Sequence, residues 1–130
     1  NSLWVFMDLE KGKPTKITDD MLNGYVMEAK IDMNYAPRKI LLPSESQPLD
    51  SFPVRRYHID TNNHVNNGQY IQMAKEFIPE DFKIRQMRVE YKKAAVFGDT
   101  IVPRVYKTND IYTIGLCDEV GQPYSIIEFC

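Results

Sequence analysis

The order of elements legible in the sequence predicts an α+β fold, in which a curved antiparallel sheet buries the apolar side of one helix. Two observations carry that prediction. Tyr70, Ala74 and Phe77, with Ile71 and Ile78 beside them, recur at helical spacing and form the one strong helical stripe of the second half. Everything after that stripe is β-prone and interrupted by short turn signals, as in a meander of antiparallel strands.

At the start of the chain, Ser2, Trp4, Phe6 and Asp8 alternate with Leu3, Val5, Met7 and Leu9, which predicts a mostly apolar strand ending at the turn Lys11-Gly12-Lys13-Pro14. A strand beginning at residue 1 needs partners, so the opening reads as the middle of a larger structure. Residues 17–35 predict a weak helical or irregular stretch. Segment 43–53 contains three prolines and three serines and reads as a linker, with a domain boundary near residue 45. Residues 54–59 predict a short strand that stops at Asp60-Thr61-Asn62-Asn63. The helix then starts at Asn66 or Asn67, whose side chains can accept a bond from an orphan backbone N–H, and Pro79 stops it. Strands are predicted over 83–96, 100–107, 111–117 and 124–129. Phe97-Gly98-Asp99, Thr108-Asn109-Asp110 and Val120-Gly121-Gln122-Pro123 divide them.

With 130 residues, 43% of them hydrophobic, the chain can bury one core, with room for an appendage, and is too short for two full domains. Sixteen basic and eighteen acidic side chains leave a net charge of -2, so no whole-protein field attracts nucleic acid or an anionic membrane. No apolar run approaches the ~20 residues that span a bilayer, and no signal-peptide pattern opens the chain. A cytoplasmic protein is expected. Cys117 and Cys130 sit in no metal-ligand spacing and are expected as reduced thiols, Cys130 frayed at the terminus. His58 and His64 lie six residues apart with no third clustered ligand, so neither a metal nor a cofactor is expected.

The most informative stretch is His58-Ile59-Asp60-Thr61-Asn62-Asn63-His64-Val65-Asn66-Asn67-Gly68-Gln69-Tyr70. It resembles the D-x-N-x-H-V-N-N-x-x-Y signature of acyl-ACP thioesterases, hot-dog enzymes that release fatty acids from acyl carrier protein in plants and bacteria. Every position of the signature is matched. The resemblance continues through Val89-Glu90-Tyr91-Lys92-Lys93 to Gly98-Asp99, and back to Ser2-Leu3-Trp4-Val5 with Gly12-Lys13-Pro14. It implies a hot-dog fold: residues 1–45 as the tail of an upstream hot-dog unit plus linker, and residues 46–130 as a C-terminal hot-dog domain carrying the active-site loop.

Thioester hydrolysis needs an activated water, a polarised carbonyl and a proton for the leaving thiolate. The resemblance implies that Asp60, Asn62 and His64 supply these. His64 is the expected general base, since histidine takes a proton near neutral pH. Asp60 is expected to orient its imidazole or share the water, and Asn62 to donate to the carbonyl oxygen. Asn66, Asn67, Gly68 and Tyr70 are the expected substrate contacts, because the helix start offers free N–H groups and glycine permits close approach. Asn63, Asn66 and Asn67 also suit turn and cap geometry. The apolar stripe suits a core, on a helix that could also line an acyl tunnel.

One departure from the family stands out. Plant members carry a strand resembling E-Y-R-R-E-C, whose second acid is regarded as catalytic; here the last two positions are Ala94 and Ala95. Glu90 shares a strand face with Ala94 if the strand runs on to residue 96, yet would lie about 13 Å away at ~3.3 Å per residue. A water mechanism resting on His64 and Asp60 is therefore expected. Arg85, Arg88, Lys92 and Lys93 concentrate positive charge and are expected to dock the acidic carrier protein, unless they simply keep a strand face soluble. Other readings are an acyl-CoA thioesterase and a non-catalytic acyl-binding half-domain. A lone hot-dog unit exposes a sheet edge, so a homodimer or pairing with an upstream unit is expected.

Overall fold

Alternating apolar residues make strands here only where a neighbouring strand takes up their backbone groups. The computed structural model describes Ser2 and residues 4–130, and it divides into two units, residues 1–35 and Ala36–Cys130. Asn1 and Leu3, at the head of the expected first strand, lie outside the described residues. In the first unit that strand shrinks to β1 (Met7–Asp8), paired antiparallel with β2 (Lys13–Pro14). The Asp8 carboxylate closes the turn by accepting the N–H groups of Glu10 and Lys11, each at 3.0 Å. Only one further turn of helix follows, α1 (Asp19–Leu22), and it buries no residue.

The second unit is a sheet with one helix, the α+β architecture expected. Its strands are β3 (Gln47–Pro48), β4 (Phe52–Pro53), β5 (Met87–Tyr91), β6 (Thr100–Thr108), β7 (Ile111–Cys117) and β8 (Pro123–Phe129). They run in the order β3-β6-β7-β8-β5, all antiparallel, with β4 also paired to β6. Helix α2 (Asn67–Lys75) lays Tyr70, Met73 and Ala74 on the inner face, where Ile101, Ile114, Leu116, Ile127 and Phe129 are fully buried. The turn at 97–99 needs a left-handed residue, and Gly98 supplies it at φ +88°.

Four expectations are corrected. The serine- and proline-rich segment 43–53 is not a free linker: β3 and β4 pair with β6, and Leu49 N–H bonds to Pro103 O at 2.8 Å. Proline is tolerated there because these are edge strands. Ser46 within it and Ile40 upstream of it are buried, and the compact unit begins at Ala36. Residues 54–59 are not a strand but contain a 3-10 turn at Arg56–His58. His58 N–H bonds to Arg55 O, and Arg55 N–H to His58 Nδ1 at 2.9 Å, so local bonds take the groups a ladder would need. The strand expected over 83–96 is cut to Met87–Tyr91. Arg85 and Gln86 turn their N–H groups to Cys130 O, and Lys92 N–H reaches Tyr124 O. Cys130 is thereby tied down rather than frayed.

A strap over residues 37–46 crosses the outer face of the sheet. Arg88 donates to Pro37 O and Lys39 O, Glu90 accepts Ile40 N–H at 2.8 Å, and Arg104 donates to Ser46 Oγ and O at 3.0 and 2.8 Å. Gly115 fits beneath it, since any Cβ at that position would collide with the Leu42 side chain.

Candidate active site

The loop at 60–64 closes on itself before helix α2 begins. An isolated bridge joins Ile59 to Val65, Asp60 N–H donates to His64 O at 2.8 Å, and Asn63 N–H donates to Asp60 O at 3.1 Å. The reversal requires a left-handed residue, and Asn63 provides it at φ 61°. Asp60, Asn62 and His64 are thus gathered on one tight loop. Asn62 and His64 are exposed and Asp60 is half-buried. The Asp60 carboxylate accepts Asn62 N–H at 2.8 Å, and no ion pair links it to His64 among the described residues.

The expected substrate contacts separate into different roles. Asn66 is the helix cap: its side chain accepts Gly68 N–H at 2.9 Å, and its own N–H donates to His58 O. Gly68 needs no left-handed backbone; a Cβ there would crowd Asn66 Oδ1 at 3.2 Å. Asn67 opens the helix, its carbonyl accepts Tyr91 OH at 3.0 Å, and its N–H has no partner among the described residues. Tyr70 is 2% exposed and belongs to the core. Its hydroxyl accepts Ala95 N–H at 2.8 Å, while Ala95 O accepts Val65 N–H at 2.9 Å. Tyr70 therefore fixes the segment after β5 against the residue that follows His64. Burial foremost pushes its phenol above the usual range.

Sequence reasoning missed this tie, because it depends on a backbone group that only the tertiary fold brings near. It also missed the network behind the segment. Val96 N–H donates to Asp99 Oδ2 at 3.0 Å, and Tyr124 OH to the same oxygen at 3.2 Å. Burial first, then the Asp99 charge, raises the Tyr124 phenol to about 12. Ala94 and Ala95 lie in this loop and not on β5, so the shared strand face expected for Glu90 and Ala94 does not exist. Ala94 is exposed and Ala95 buried.

The positive cluster is largely neutralised where it stands. Arg88 pairs with Glu128 at 2.8 Å, Lys92 with Glu90 at 2.6 Å, and Lys93 with Asp118. Only Arg85 of the four has no ion pair among the described residues. Charges counted along the sequence leave out these partners, of which Glu128 lies across the sheet on β8 and Glu90 on β5 itself. No group of side chains suited to a metal ion occurs among the described residues.

The model of the acyl-ACP thioesterase C-terminal domain family matches residues 42–122, more than half of the chain. The chain belongs to the acyl-ACP thioesterase family. Solved structures agree on the hot-dog fold. An acyl-ACP thioesterase from Bacteroides thetaiotaomicron superposes with a TM-score of 0.80 at 19% identity, covering 95% of this chain and 51% of that one. The 12:0-ACP thioesterase from Umbellularia californica gives 0.68 at 16% identity, covering 95% and 50%. A Staphylococcus aureus protein solved in complex with CoA gives 0.56 at 19% identity, covering 65% and 74%. The chain thus spans about half the length of the two acyl-ACP thioesterases. No curated protein matches it.

Proposed function

We propose that this chain carries the catalytic loop of a thioesterase that hydrolyses fatty acyl-ACP to a free fatty acid and the carrier thiol, in fatty acid biosynthesis. The supporting observation is the closed loop at 60–64, which gathers Asp60, Asn62 and His64 immediately before the start of α2. His64 takes a proton from water as its oxygen attacks the thioester carbonyl. Asp60, braced by Asn62 N–H, faces the developing imidazolium through the same loop or holds the water. The Asn62 amide and the free N–H of Asn67 at the positive helix end stabilise the oxyanion. The C–S bond breaks and the thiolate leaves with the proton His64 holds. No acid at residue 94 enters this scheme.

Among the described residues β5 pairs only with β8, so its outer edge has no strand partner there. A second hot-dog unit, from another copy or from the same polypeptide, fits that edge. No described helix is long and apolar enough to cross a membrane, and the reading places the enzyme in the cytoplasm.

His64→Ala is expected to lower acyl-thioester hydrolysis about 10²- to 10⁴-fold without altering the melting temperature. An unchanged rate in the folded variant removes His64 from the mechanism. If wild type hydrolyses neither acyl-ACP nor acyl-CoA, the chain is an acyl-binding half-domain. A second reading, an acyl-CoA thioesterase, is favoured by the pairing of Arg88, Lys92 and Lys93 with local carboxylates, which leaves little unpaired positive surface for an acidic carrier.

A further inference from the structure

We propose that a groove beside helix α2 binds the carboxylate form of a fatty acid, as a second site apart from the loop at 60–64. The groove encloses about 470 Å³, within the range of small-molecule sites, and no residue of that loop lines it. Phe52, Met73 and Phe77 form its apolar wall, and Arg55 and His58 stand in it as hydrogen-bond donors.

His58 is the deciding residue. It is 6% exposed, so 94% of it is buried, yet it lines the groove. Its Nδ1 is occupied as an acceptor by Arg55 N–H at 2.9 Å, so the ring proton of the neutral imidazole is on Nε2. That N–H has no protein partner among the hydrogen bonds of the described residues. Burial first, and the Arg55 charge second, hold the ring below the usual histidine range, which keeps this tautomer neutral at physiological pH. The ring is braced edge-on by Tyr57, with centroids 4.2 Å apart. Little of the ring is open to solvent, and an N–H without a protein partner at a groove wall is open to an acceptor from a ligand.

The same surroundings define the ligand. Arg55 is exposed and has no ion pair among the described residues, so the acceptor at this end is an anion. From Gln69 to the helix end at Lys75 the wall follows the helix for about 9 Å and continues to Phe77 just beyond it, room for an alkyl chain on Phe52, Met73 and Phe77. Glu76 lies at the far end of the helix and repels a carboxylate, which fixes the direction of the chain. A carboxylate head with an aliphatic tail satisfies every one of these surfaces. That the amphiphile is a fatty acid rests on the proposed activity, whose product it is; the groove and its donors do not.

The test titrates the whole chain with dodecanoate below its micelle concentration, by calorimetry and by ¹⁵N spectra of the histidine rings. Saturable binding at one site is expected, with the His58 Nε2 resonance moving and the His64 ring unmoved. Arg55→Gln is expected to weaken binding about tenfold to a hundredfold, as is His58→Asn, whose side-chain oxygen still accepts Arg55 N–H and so preserves the turn. Dodecanol should bind the wild type more weakly by a similar factor and be indifferent to Arg55→Gln. Absent saturation, equal affinity in Arg55→Gln and wild type, or a shift at His64 in place of His58 would each overturn the proposal. Dodecanoate binding should persist in His64→Ala whatever happens to hydrolysis, so failure of the catalytic reading and failure of this site are separable.

Discussion

At the scale of single residues, spacing identifies the groups with the clearest chemistry but not what holds them. Asp60, Asn62 and His64 are legible because five polar identities within eight positions leave little room for chance. Tyr70 is legible only as a motif position, and its burial turns an expected substrate contact into a tie between α2 and the segment bearing Ala94 and Ala95. Ala95 is fully buried, so removing the hydroxyl leaves its N–H without a partner. Tyr70→Phe should therefore cost about 1–3 kcal/mol of stability. Thermal unfolding should show a fall of several degrees. A melting temperature equal to wild type would mean that Ala95 N–H finds another acceptor and that Tyr70 is a space-filling residue alone. Nothing local in the sequence predicts this bond, because the partners are 25 positions apart.

At the scale of elements, the meander was readable and the strap was not. Strands β6, β7 and β8 follow their expected limits to within a residue, since apolar runs between turn signals need only their neighbours in sequence to pair. Residues 43–53 read as a linker because prolines and serines rarely make strands, yet β3 and β4 within them pair with β6, and side chains from β5 and β6 hold the backbone of residues 37–46. Glu90 is the titratable member of this attachment. Burial pushes its carboxyl up, but the Lys92 hydrogen bond, the Ile40 N–H and the charges of Lys92 and Lys39 outweigh burial and hold it below its ordinary 4.5. The folded state then binds fewer protons than the unfolded chain through the carboxylate range. The contribution is whole above pH 4.5 and is lost as pH falls through the lower folded value. Glu90→Gln should flatten the acid limb of melting temperature against pH, while Asp8 and Asp118, held low chiefly by bonds from Lys11 and Lys93, retain their share. An acid limb of unchanged slope would show that the strap detaches without stability cost.

At the scale of the whole molecule, charge distribution decides how a substrate's handle is recognised, and composition alone misleads. Arg85, Arg88, Lys92 and Lys93 look like a docking face in the sequence, but three of them have a carboxylate partner within the unit. Arg88 also carries the strap, so reversing its charge would disturb the fold before it tested any docking. Each pair behaves toward a distant partner as a dipole, whose field fades faster than that of a free charge, and the net charge of -2 adds no attraction for an acidic carrier. The specificity constant for acyl-ACP should therefore fall only slightly as salt shortens the Debye length from about 10 Å to about 3 Å. Acyl-CoA of equal chain length should follow nearly the same curve, and Arg85→Glu, which touches the one cation of the four without an ion pair among the described residues, should weaken acyl-ACP turnover by no more than a few-fold. Parallel salt curves would mean that the thiol handle is chosen by short-range contacts. A steep fall for acyl-ACP alone, abolished by Arg85→Glu, would restore carrier docking to this face and remove the ground for the acyl-CoA reading.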